Sequence, residues 1–291
     1  MVTLILFVLI FGVVVVSHEF GHFLLAKANG IHVIEFSVGM GPNLFSFQKG
    51  DTKYSLKLLP IGGACMFEGE DGLNEKEDGE DHSGSFLNAN VWARISTVLA
   101  GPVFNFILGF VIAFIMVNLI ATIRDPVATE IVDGGAAQEA GLQPGDRILS
   151  LNGSKIHLYE EIQLFTLTYR GGDVMVQYER DGVKGTTTLT PKYDESTGRY
   201  MIGISNADFV QLSGLDCFRY SWYEMRYCVT MTWKSLAMLV QGQVSRQDVA
   251  GPVGIAVNVV GKTYESTKDY GWQNVLVNML NITLMLTVNL G

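Results

Sequence analysis

Two histidines and a glutamate interrupt an apolar run at the start of the chain: His18-Glu19-Phe20-Gly21-His22 follows directly on Val2 to Val16. On a helix, residues four apart share a face, so His18 and His22 can both bind one zinc ion, and Glu19 is placed to act on water beside it. Ionisable groups at membrane depth are costly and by default signal function. The pattern predicts water-using metal chemistry inside a bilayer. The bland alternative is a bundle helix whose histidines bond to neighbours, which must then find partners for three adjacent ionisable groups. His32, His82 and His157 stand in polar or loop-like surroundings and read as surface residues.

The composition fits a membrane setting. The 291 residues are 48% hydrophobic and 17% charged, less charged than an ordinary soluble domain, which predicts a multi-pass α-helical membrane protein with a soluble part. A net charge of −9 gives no support for nucleic-acid binding. Cys65, Cys217 and Cys228 form no C-x-x-C pair, so neither a disulfide framework nor a thiolate metal site is expected. Residues 2–28 read as a retained span rather than a signal peptide. Met1-Val2-Thr3 carries no Lys or Arg, and the metal motif stands where a cleavage site would be.

These elements must position the motif. A second span is expected over 93–123, anchored at the interface by Trp92 and Arg94 and containing Gly101-Pro102-Val103-Phe104-Asn105. Gly101 and Asn105 share a face. Asn105 reads either as part of a small-x-x-x-polar helix contact, the simpler reading from spacing, or as a hydrogen-bonding neighbour of the metal. Within 31–63, Leu44 to Gln48 and Tyr54 to Leu59 flank the turn signal Lys49-Gly50-Asp51-Thr52, and Pro60, Gly62 and Gly63 end the run. This membrane-associated β-hairpin either offers its edge to an extended substrate or is a small ordered loop without substrate contact. Residues 68–82 are acidic and read as a solvated loop.

Residues 124–207 change character. Short β-rich runs (Val127 to Val132, Arg147 to Leu151, Val174 to Arg180, Gly185 to Leu189) and a short helix near Ala136 to Ala140 predict a small soluble α+β domain. Residues 208–291 return to the membrane. An amphipathic helix or span is expected over 215–242, then a polar loop over 243–270 with Gly251-Pro252-Val253-Gly254 as a turn or break. A last span begins at Trp272 and stops in mid-pattern at Gly291. The membrane core thus comprises 1–123 and 208–291, with 124–207 inserted. A catalytic zinc needs a third protein ligand. No residue shortly after His22 recommends itself, and Asp248 qualifies by chemistry but stands in a polar loop.

Together these stretches resemble the site-2 protease family of intramembrane zinc metalloproteases, especially its bacterial RseP-type members. The likeness runs through His-Glu-Phe-Gly-His at 18–22, Glu35 to Pro42, Tyr54 to Gly63, Ala100 to Phe106 and Gly251 to Ile255. Ala140 to Ile148 with Asn152-Gly153 is similar to the PDZ pattern, so the inserted domain is expected to be PDZ-like. The resemblance implies Zn²⁺ on His18 and His22, Glu19 as the catalytic base, and Asn105 near the active site. It places the third ligand, an aspartate of an Asp-Gly motif, shortly beyond Gly291, so the chain as given is expected to have an incomplete metal site and to be inactive. It also implies single-span membrane protein substrates, such as anti-sigma factors or signal-peptide remnants. The expected location is the bacterial cell (inner) membrane, with the PDZ-like domain extracytoplasmic. The positive-inside pattern of Lys27, Lys49, Lys53, Lys57 and Arg94 agrees with this, although the acidic 68–82 loop blurs it. The competing class is a membrane-anchored PDZ-like peptide-binding adaptor without proteolytic activity.

Overall fold

The computed structural model describes residues 1–70, 84–205, 208–243 and 251–291; the acidic stretch 71–83, with His82, and Asp248 lie outside the described residues. By packing, the chain divides into Met1–Met116 with Gln247–Gly291, and Val117–Arg246.

In the first unit, α1 (Val2–Ala28) and α2 (Val91–Ile120) are the two described helices long and apolar enough to cross a membrane. Leu4, Leu9, Val13, Phe20 and Leu24 of α1, and Val98, Val103, Ile107 and Val111 of α2, are exposed. Apolar stripes of that length are what lipid-facing helices present and what soluble monomers avoid. The two helices run antiparallel where they meet, from Ser17 to Asn29 on one side and from Ala93 to Asn105 on the other. Asn29 Nδ2 donates to Ser96 Oγ (3.0 Å) at one level, and Ser17 Oγ donates to the Phe104 carbonyl (3.4 Å) at another. Small residues make this possible. A Cβ on Gly21 would meet the Ala100 carbonyl oxygen at 2.5 Å, so only glycine lets the backbones approach so closely.

Between them lie β1 (Val33–Lys49) and β2 (Thr52–Phe67). Lys49↔Thr52 to Asn43↔Lys57 form the expected hairpin. The run does not end at the glycines, however. Residues 33–38 pair on one edge with 53–56 and on the other with 63–67, through Phe36↔Cys65, Ser37↔Ala64 and Val38↔Gly63. Gly62 and Gly63 therefore redirect β2, which returns as a further strand. Phe23 of α1 packs on Phe36 and Tyr54 (5.3 and 6.0 Å between centroids), fixing the sheet to the helix that carries the motif.

The expected break at Gly251-Pro252-Val253-Gly254 is instead a helix start. Pro252 opens α6 (Pro252–Gly254), where its missing N–H costs nothing. The helix continues as a π-helical segment, Ile255–Gly261, into α7 (Lys262–Thr267). In α8 (Trp272–Leu290), Met279 and Ile282 join Phe7, Ile10 and Val260 in one core. Thr287 Oγ1 donates to the Asn105 carbonyl (3.2 Å).

The second unit takes up the last turn of α2. It contains β3 (Thr122–Asp125), β4 (Glu130–Ile131), α3 (Ala136–Glu139), β5 (Arg147–Leu151), β6 (Ser154–Lys155), α4 (Tyr159–Thr168), β7 (Val174–Arg180) and β8 (Val183–Leu189). The short strands β9 (Lys192–Asp194), β10 (Arg199–Met201), β11 (Ile204–Ser205) and β12 (Asp208–Gln211) follow, then the long helix α5 (Leu215–Val240). The sheet β6-β5-β7-β8 buries Ile148, Leu151, Val174, Val176 and Leu189 against α3 and α4. α4 has no counterpart in the sequence expectation. Its first turn is closed by Glu161, whose carboxylate accepts the backbone N–H groups of His157 (2.6 Å) and Leu158 (3.2 Å). α5 packs within this unit. Cys217 and Tyr220 share a core with Val117, Ile123, Leu158 and Leu212, and Arg226 pairs with Glu161.

Candidate metal centre

His18, Glu19 and His22 project from α1 toward α2 and the sheet, each half-buried. The two imidazoles stand edge to face, 4.8 Å between centroids and 79° between planes. Both turn their Nε2 atoms to the same point on α2. That point is where a side chain at Gly101 would begin: a Cβ there would lie 2.7 Å from His18 Nε2 and closer still to His22 Nε2. The missing side chain leaves a cradle lined by two nitrogen donors.

The opposite ring nitrogens are engaged. His22 Nδ1–H donates to the Thr97 carbonyl (2.8 Å), which in the neutral ring leaves the Nε2 lone pair free. Pro102, five residues further on, has no N–H for the neighbouring Val98 carbonyl, so the helical ladder is interrupted beside this contact. The Asn105 side chain meets His18 Nδ1 at 3.2 Å while its Oδ1 has no partner. Rotating this amide by half a turn makes Oδ1 the acceptor of His18 Nδ1–H and frees His18 Nε2 as well. Nδ1 hydrogen-bonded outward and Nε2 turned inward is the arrangement that orients metal-binding histidines. The donor set therefore fits a divalent, nitrogen-binding metal. Among the described residues no third His, Cys, Asp or Glu completes a cluster with these two. The end of α8 is nearby, with Gly291 against the Pro102 carbonyl and Phe106 ring.

Glu19 is held from the other side. The backbone N–H of Cys65 hydrogen-bonds its carboxylate, and Gly63 leaves space for it, since a Cβ there would meet Glu19 Cγ at 2.9 Å. The Cys65 thiol is no nucleophile: burial, reinforced by the Glu19 and Glu70 charges, pushes it up to about 12. The hairpin's returning strand thus positions the glutamate, and α2 positions the histidines. Of the other histidines, His32 pairs through Nδ1 with Glu68 Oε2 (2.9 Å), and His157 stacks on Tyr223 at 4.1 Å.

Thr97, the Cys65 amide and the relation of Gly63 to Glu19 are not legible in the sequence. Each acts through backbone or through an absent side chain, which no residue-type pattern marks. Gly101 stood in the noted Gly-Pro motif, but its relation to the imidazoles depends on helix pairing.

The family model for peptidase family M50 matches residues 6–290. Zinc metalloprotease RasP of Bacillus licheniformis is 31% identical over 370 residues, covering 99% of this chain and 85% of that protein. RasP of Geobacillus kaustophilus is 28% identical, covering 99% and 84%. Regulator of sigma-W protease RasP of Bacillus subtilis is 28% identical, covering 99% and 85%.

Proposed function

The chain belongs to peptidase family M50, and from that premise we propose that His18 and His22 hold its zinc and that Glu19 is its general base. The coarse function follows from membership: the chain is an intramembrane zinc metalloprotease. The observation that carries the residue assignment is the convergence of two Nε2 atoms on the vacant side-chain position of Gly101.

Zinc, when bound, supplies Lewis acidity for hydrolysis of a peptide bond. The chain's own groups do the rest. Glu19 takes a proton from the attacking water and returns it to the leaving amine, while the Cys65 N–H keeps its carboxylate aimed. Asn105 and the Thr97 carbonyl fix the two imidazole rings. A transmembrane helix shields its peptide bonds and has to unwind before it can be cut. Among the described residues, 63–67 pair on one edge only, and the Cys65 N–H is turned toward Glu19. An unwound segment added along the other edge would carry its peptide bond past the carboxylate.

The proposed substrates are single-span membrane proteins such as anti-sigma factors or signal-peptide remnants, in keeping with the name of the Bacillus subtilis relative. We place the enzyme in the bacterial cell membrane as a multi-pass protein, with residues 124–207 as an extracytoplasmic PDZ-like domain. The supporting pattern there is a short-stranded sheet with α4 across it.

The test is Glu19→Gln in the full-length protein. Gln keeps an acceptor for the Cys65 N–H but cannot carry the proton. Cleavage of a model transmembrane substrate should fall at least about a hundredfold while zinc content stays unchanged. Cleavage that survives removes Glu19 as the base, and a metal-free wild type removes His18 and His22 as ligands.

A further inference from the structure

A concave site of about 510 Å³ opens on the second unit, lined by none of the metal centre's residues. Four cationic side chains from four elements line it: Arg147 of β5, Lys155 of β6, Lys184 of β8 and Arg219 of α5. In a chain of net charge −9, such a gathering is unexpected unless it serves an anion. Arg147 and Arg219 are held in place by Asp125 and Asp216. Lys155 and Lys184 have no carboxylate partner among the ion pairs of the described residues, although Glu179 is the cross-strand neighbour of Arg147 and Lys184. Tyr220 and Tyr223 complete the wall with hydroxyl donors. His157, also in the lining, is held below its ordinary value. Burial comes first, and the charges of Arg226, Lys155 and Arg219 outweigh Glu161.

Its place in the fold says which anion. Tyr220 shares a core with Val117, which stands in the last turn of α2, three residues before the helix ends at Ile120. The Leu212 N–H donates to the Ala121 carbonyl (2.9 Å), three residues before α5 begins. Asp125, which holds Arg147, is five residues past Ile120, a reach of at most about 18 Å when fully extended. The pocket is therefore tied to the point where an apolar span leaves the hydrocarbon, the depth at which lipid headgroups lie. Beside it on α5, Leu215, Phe218 and Trp222 are 89%, 58% and 52% exposed. Such residues suit the acyl boundary next to a headgroup, where Trp is enriched.

We propose that this pocket binds the phosphate-bearing headgroup of an anionic phospholipid beside the end of α2. The lysines and Arg219 neutralise the phosphate, Arg147 and the tyrosines hydrogen-bond it, and the exposed α5 residues meet the upper acyl chains. The site needs α2 to be a span but needs no proteolysis, so an inactive chain reports on it equally well.

The experiment is equilibrium binding to the full chain in a neutral detergent, read by native mass spectrometry. The probes are short-chain phosphatidylglycerol, phosphatidylcholine of the same chain length, and inorganic phosphate. Phosphatidylglycerol should be retained, and the other two should not. The double variant Lys155→Gln/Lys184→Gln, both exposed positions, should weaken its binding about thirtyfold. Lys192→Gln, which removes a lysine paired with Glu139 elsewhere on the unit, should leave it unchanged. Amide exchange of β5 to β8 matching the wild type shows that the double variant is folded. Equal retention of phosphatidylcholine, or undiminished binding by the folded double variant, overturns the proposal. Inorganic phosphate binding as tightly as the lipid overturns the membrane source and leaves a free-phosphate site.

Discussion

Gly101 faces His18 across the α1–α2 contact so closely that one added methyl group would lie 2.7 Å from His18 Nε2. Alanine ordinarily stabilises a helix relative to glycine by about 1 kcal/mol. Gly101→Ala should therefore leave helix content intact and still expel the metal, because its methyl occupies the point on which both imidazoles converge. Zinc affinity, measured by chelator competition, should fall at least about tenfold. Unchanged affinity would mean that the two Nε2 atoms do not share a ligand there.

Asn105 offers a finer test because it acts through His18. With its amide oxygen toward His18 Nδ1–H, what matters is the acceptor rather than the amide. Asn105→Leu keeps the volume and removes the acceptor, and zinc affinity should drop by roughly 10- to 100-fold. Asn105→Asp keeps the acceptor and should hold zinc about as well as the wild type. A merely structural role would make both variants equally harmful.

How much of this was legible in the sequence follows the range of each interaction. His18 and His22 lie one turn apart on one helix, with Glu19 next to His18, so spacing alone specifies the shared face of the two imidazoles. The spans announce themselves by apolar length, and Arg147 to Leu151 and Val174 to Arg180 by their β-rich pattern. What pairs with what was not legible. Gly62 and Gly63 carry the same local signal whether they stop a strand or redirect it, and only the register with Phe36 to Val38 decides. The helix Tyr159–Thr168 stayed hidden because its start is secured by a glutamate inside the first turn rather than by a Ser, Thr, Asp or Asn cap. Pro252 reads as a breaker or as a first helical residue, and the packing of Val260 with Phe7 and Ile10 settles it.

The returning strand should separate metal binding from catalysis. A Cβ on Gly63 would meet Glu19 Cγ at 2.9 Å and the Ser37 carbonyl oxygen at 3.0 Å. Gly63→Ala is thus expected to displace the carboxylate and lower kcat about tenfold or more, with zinc content unchanged. Cys65→Ser keeps the backbone N–H that aims Glu19 and removes only a thiol that burial holds at about 12. Its activity should stay within about twofold of the wild type, since no thiolate takes part. Loss of activity in Cys65→Ser with zinc retained would give the thiol a role that its environment argues against.

The second unit has its own acid-sensitive joint, Asp146 with Arg180. Asp146 is fully buried and accepts from Arg180 Nε and one terminal guanidinium nitrogen (both 2.7 Å) and from the Gln143 N–H (2.8 Å). Burial alone would raise its pKa, but the Arg180 and Gln143 hydrogen bonds outweigh it and hold the carboxyl below its ordinary value. A carboxylate with a depressed folded-state pKa contributes stability above its unfolded value of about 3.9, and that contribution is lost as pH falls through the lower folded value. Asp146→Asn should therefore speed hydrogen exchange of the β5 and β7 amides in the full chain, by roughly tenfold at pH 7. Compared at matched pH, this difference should persist down to about pH 4 and shrink below it. A difference that instead widened with acid would mean that Asp146 is protonated in the folded chain and that Arg180 stabilises nothing there.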